Sequence, residues 1–109
     1  MILVTGGAYQ GKKEYAAKEF GNEYEIIGDY HLRVREQLKE GRDIFKEAER
    51  LLSENDKIVI TSDELGCGIV PVDAFEREYR EKNGRLNCFL AERAERVIRV
   101  ICGMGVKIK

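Results

Sequence analysis

The chain has 109 residues, 43% hydrophobic and 36% charged, with 19 Lys+Arg against 20 Asp+Glu and a formal charge of −1. That size predicts one compact domain, 1–109, able to bury a core without disulfide or metal staples. The balanced charge gives no basic excess for a nucleic-acid partner, and no apolar run approaches the roughly 20 residues of a membrane span.

Met1-Ile2-Leu3-Val4 is too short for a signal-peptide core and lacks a basic leader, so the expected setting is the cytoplasm, with no membrane partner. The cysteines, Cys67, Cys88 and Cys102, form no Cys-x-x-Cys pair, and His31 is the only histidine. Neither a zinc site nor a disulfide framework is expected; the thiols read as reduced groups in or near the core.

In chain order, Ile2–Thr5 is a short β-branched run that predicts a buried strand, ended by Gly6-Gly7. Lys13–Phe20 predicts a short helix stopped by Gly21 and Asn22. Glu25–Ile27 predicts a second strand, closed by Gly28-Asp29. From His31 to Leu52 the apolar spacing is helical, and Gly41 divides the stretch into two helices. Lys57–Thr61 predicts a third strand, followed by a glycine-rich loop through Pro71. Asp73 is placed to cap a long helix reaching about Glu95, with Phe75, Tyr79, Leu86, Phe89 and Leu90 as its core stripe. Val97–Cys102 predicts a fourth strand, and Gly103-Met104-Gly105 a tight turn into Val106–Ile108. Strands alternating with helices imply an α/β three-layer sandwich with a mostly parallel sheet and a short C-terminal β-hairpin.

Gly6-Gly7-Ala8-Tyr9-Gln10-Gly11-Lys12 fits the P-loop pattern through its lysine. Glycines at these positions let backbone N–H groups curl around a phosphate, and the next helix aims its positive end at the same anion. Lys12 would reach the terminal phosphates of GTP or ATP as a mobile cation. A glycine-rich strand–helix turn with no ligand is the plain alternative. The next position is Lys13, where the pattern has a Ser or Thr hydroxyl for Mg²⁺. Either other groups hold the metal, or Lys13 supplies part of its charge, or catalysis is lost.

Several segments resemble the adenosylcobinamide kinase / adenosylcobinamide-phosphate guanylyltransferase family. They are Met1–Ala8, Asp63-Glu64-Leu65-Gly66-Cys67-Gly68-Ile69-Val70-Pro71, Gly84-Arg85-Leu86-Asn87 and Gly103–Lys109. The resemblance implies a P-loop fold and a cytoplasmic homo-oligomeric enzyme of cobalamin biosynthesis. It implies a kinase that phosphorylates adenosylcobinamide, and a transfer of GMP onto that phosphate through a guanylylated histidine, with ATP or GTP and Mg²⁺. The chain departs from the family at Lys13, at Asp63 where the family has Asn, and in a much shorter middle. A non-catalytic GTP/ATP-binding module with a degenerate P-loop therefore stands as the alternative function.

His31 follows the second strand, the placement that the resemblance implies for the guanylylated histidine. Asp29 could orient it, and Arg33 or Arg35 could pair with phosphate. An exposed or helix-capping histidine without chemistry is the alternative. Asp29, Asp63 and Glu64 lie just past predicted strand ends, where carboxylates can hold Mg²⁺ or accept a substrate proton. Glu64 matches a position of the family's signature, so the resemblance makes it the preferred catalytic and metal-binding choice, with Asp29 as a second metal-binding candidate. Arg85 and Asn87 are candidates for nucleotide, substrate or subunit contact, or for a solvated helix face.

Overall fold

The computed structural model describes residues 1–65 and 71–109. Five strands form one sheet in the order β2-β3-β1-β4-β5: β1 (Ile2–Gly6), β2 (Glu25–Ile27), β3 (Ile58–Asp63), β4 (Arg96–Ile101) and β5 (Met104–Lys107). The first four are mutually parallel and β5 runs antiparallel to β4. The helices are α1 (Lys12–Phe20), α2 (Tyr30–Lys39), α3 (Ile44–Glu54) and α4 (Ala74–Arg93).

Strand alternation builds two cores. Leu3, Ile58, Ile60 and Val97 face α2, α3 and α4, packing with Tyr30, Val34, Ala48, Leu86 and Leu90. Ile2, Val4, Val59, Ile98 and Val100 face the other way, against Ala16 of α1. The expected three-layer α/β sandwich and its terminal hairpin are present. Gly41 adopts a left-handed φ of 70° and separates α2 from α3. The carboxylate of Asp43 caps α3 by accepting from the Phe45 and Lys46 N–H groups, and Asp73 caps α4 by accepting from Glu76 N–H.

Three expectations are corrected. The hairpin turns on Cys102-Gly103, not on Gly103-Met104-Gly105, so β5 starts at Met104. Both turn residues have positive φ, 51° and 76°, the condition for a two-residue turn that follows strand twist. β3 runs two residues beyond Thr61 because Thr5 and Gly6 of β1 pair with Ser62 and Asp63. Cys88 and Cys102 are exposed rather than in the core, and Cys67 lies outside the described residues. Among the described residues, no helix is long and apolar enough to cross a membrane.

Candidate functional site

The loop between β1 and α1 lies at the carboxyl end of the parallel strands, the edge where such sheets bind ligands. Gly6 has φ 151°, and a Cβ there would lie 2.5 Å from the Val100 carbonyl oxygen. Only glycine lets β1 turn out of the sheet so close to β4. Gly11, at φ 87°, begins α1 and packs on Gly103, whose Cα would be 3.4 Å from an added Cβ. Tyr9 holds φ 60° at the loop apex with its ring fully exposed. The hairpin turn braces the loop from outside. Gln10 Oε1 accepts from Cys102 N–H at 2.7 Å, and Gln10 O accepts from Gly103 N–H at 2.7 Å.

The loop borders a cavity of about 340 Å³ lined by residues 8–14 with Asp29 and Asp63. Lys12 is buried, and its ammonium donates to Gly7 O and pairs with Asp63 Oδ1, both at 2.7 Å. The Lys13 ammonium pairs with Asp29, whose hydrogen bond and negative charge push the lysine above its ordinary range. Asp29 holds φ 51°, and its N–H donates to Thr61 Oγ1 at 2.9 Å, fixing it against β3.

His31 is 7% exposed and does not line the cavity. Its Nδ1 accepts from the Asp63 N–H at 3.1 Å, which assigns the ring proton to Nε2. Nε2 lies 3.4 Å from Asp63 Oδ2. Burial holds the imidazole below its ordinary value, against the opposing charge of Asp63. Both nitrogens are thus turned to Asp63. The Tyr79 hydroxyl donates to His31 O at 2.6 Å, and burial pushes that phenol up to about 12.

Glu64 lies on the other flank of the loop, in a cleft with Gly7, Gln10 and Arg99, and accepts from Arg99 at 3.1 Å. Asp63, rather than Glu64, meets Lys12 and His31. Asp29 and Glu64 line different clefts. Among the described residues no group of three or more His, Cys, Asp or Glu is arranged to hold a metal ion. Asn87 and Asn83 of α4 each donate to Asp63 O, at 3.3 and 3.2 Å, so Asn87 steadies the end of β3. Arg85 pairs with Glu81 on the exposed face of α4. Nothing local in the sequence marks Asn83 and Gln10 as supports, because their partners are distant along the chain. Strand parity favours Asp63, since Val59, Thr61 and Asp63 share the face that carries α1.

Residues 30–108 match the family described as cobinamide kinase / cobinamide phosphate guanyltransferase. The loop Gly6–Lys12 lies before that match. The chain is similar to the bifunctional adenosylcobalamin biosynthesis protein CobU of Salmonella typhimurium and to that of Escherichia coli. Each is 45% identical over 53 residues, which is 49% of this chain and 29% of the relative. The corresponding protein CobP of Pseudomonas aeruginosa is 36% identical over 53 residues, 49% of this chain and 31% of its own length. Each match therefore spans less than a third of the relative. With residues 30–108 covering most of the sequence, the chain belongs to the cobinamide kinase / cobinamide phosphate guanyltransferase family.

Proposed function

We propose that residues 1–109 form a P-loop nucleotide-binding domain that transfers the terminal phosphoryl group of GTP or ATP to the hydroxyl of a cobinamide. The observation that carries this reading is the cavity at the head of α1, with Lys12 poised between Gly7 O and Asp63 Oδ1. Backbone N–H groups of the loop and the α1 dipole would cradle the phosphates. Lys12 would move from its carbonyl partner to the transferring group and offset its growing charge. Asp63, held by His31, would accept the proton of the substrate hydroxyl. Family membership supports the corrinoid as substrate.

The burial of His31 favours phosphoryl over guanylyl transfer. A nucleophilic imidazole needs a free nitrogen facing phosphorus, and here both nitrogens face Asp63. His31 serves instead as a positioning residue. The reading extends to a cytoplasmic homo-oligomer, supported by the exposed Ile101, Met104, Val106 and Ile108 on the hairpin.

The test is incubation with cobinamide and either γ- or α-labelled GTP and ATP. Label from the γ position on the corrinoid, with none retained by the protein, is the expected result. Covalent label from the α position that disappears in His31→Asn would restore the guanylylated histidine. Tight nucleotide binding without any transfer would leave a non-catalytic module, a reading that the Lys13–Asp29 pair favours by occupying a cavity carboxylate.

A further inference from the structure

Mg²⁺ in nucleotide sites demands near-octahedral oxygen ligands at about 2.0–2.1 Å and usually takes one or two carboxylates plus phosphate. The cavity offers two aspartates, Asp29 and Asp63, and the exposed Glu14 of the first turn of α1. Each aspartate already carries an ammonium, Lys13 on Asp29 and Lys12 on Asp63. The position that would present a hydroxyl is Lys13 itself. The residues present fit the metal poorly, because a divalent ion would have to displace an ammonium from either aspartate, and the remaining carboxylate, Glu14, is exposed.

The Lys13 ammonium is held by built features. Its stem crosses Gly28, where a Cβ would lie 3.2 Å from Lys13 Cε, so the missing side chain leaves its path open. Its partner Asp29 is anchored by the Thr61 hydroxyl. Lys13 remains 56% exposed and so can swing toward an incoming anion while staying charged. Lys12 and Lys13 together place two positive charges on a cavity that also carries Asp29, Asp63 and Glu14.

We propose that Lys13 is the resident cation of this site and that the chain binds the polyphosphate of its nucleotide without a divalent metal. This rests on the nucleotide reading above and adds the basis of its charge neutralisation. Lys13 would leave Asp29 for the phosphate oxygens, filling the electrostatic place that a metal holds where the residue is Ser or Thr.

The experiment titrates the full chain with GTP, ATP and inorganic tripolyphosphate, in excess EDTA and in excess MgCl₂. Lys13→Thr and Lys13→Ala are run beside the wild type, with circular dichroism confirming the fold. Wild-type affinity should agree between the two buffers within about threefold. Lys13→Ala should lose about tenfold in EDTA, the size of one charge-assisted contact. Lys13→Thr should lose as much in EDTA and recover with Mg²⁺. Wild-type binding that falls tenfold or more in EDTA, or a Lys13→Ala affinity equal to wild type, overturns the inference while leaving the nucleotide reading intact. Binding of tripolyphosphate but of neither nucleotide, with the same Lys13 dependence, overturns the nucleotide reading and sustains the resident cation. No binding of any probe in either buffer overturns both.

Discussion

Lys12 Nζ lies 2.7 Å from Asp63 Oδ1, joining the first residue of α1 to the last residue of β3 across the mouth of the phosphate loop. The pair sets the resting position of the loop cation. Lys12→Met keeps the stem and removes the charge, and is expected to weaken GTP or ATP binding by about tenfold or more. Asp63→Asn removes the competing anion, so binding should be equal or a few-fold tighter while transfer to cobinamide falls. Calorimetric titration and a turnover assay separate the two outcomes.

His31 gives the fold a pH dependence of known sign. Burial lowers its folded pKa below the ordinary 6.5, so the unfolded chain binds more protons between the two values. Its contribution to stability is complete above 6.5 and is lost as the pH falls from there through the folded value. Urea unfolding at about pH 7.5 and about pH 5 should show a drop for the wild type and a smaller drop for His31→Asn, whose carbonyl can still accept the Asp63 N–H.

Gly6 and Gly84 should respond in opposite directions to alanine. At Gly6 the new methyl would meet Val100 O at 2.5 Å with φ 151°, a loss of about 3 kcal/mol. At Gly84, inside α4, nothing among the described residues lies within 4 Å of the added Cβ. Gly84→Ala is expected to gain about 0.5–1 kcal/mol through a less free unfolded chain. Thermal unfolding measures both.

Gln10→Ala removes the acceptor for the Cys102 N–H. The expected cost is about 1 kcal/mol of stability, with a few-fold loss of nucleotide affinity as the loop loses its outer brace. Gln10→Glu retains an acceptor at this position and should recover most of the stability. Denaturant unfolding and nucleotide titration, run on both variants, check the pair.

What the sequence made legible was local. β-branched runs marked the strands, Gly41 marked the break between α2 and α3, and Asp73 marked the start of α4, each because the controlling interaction lies within a few residues. The loop Gly6–Lys12 was readable for the same reason. The illegible parts depend on partners far along the chain. Cys102 turns the hairpin with positive φ, a conformation rarely suited to cysteine, while its N–H is taken by Gln10 at a separation of 92 residues. The preference for Glu64 over Asp63 followed the family signature, whereas the side each carboxylate takes follows from the register of β3 against β1. Asp29 and Lys13 each stand out in the sequence, but their pairing depends on Gly28 leaving a path across the end of β2.

The brace between Gln10 and the Cys102-Gly103 turn also orders assembly in time. The loop near residue 10 gains its outer wall only when a segment some ninety residues later in the chain has folded back beside it. The loop motif is therefore complete in sequence long before the turn that braces it. Hydrogen exchange at the hairpin amides should slow when nucleotide is added, because Gln10 ties the Cys102 and Gly103 N–H groups to the loop.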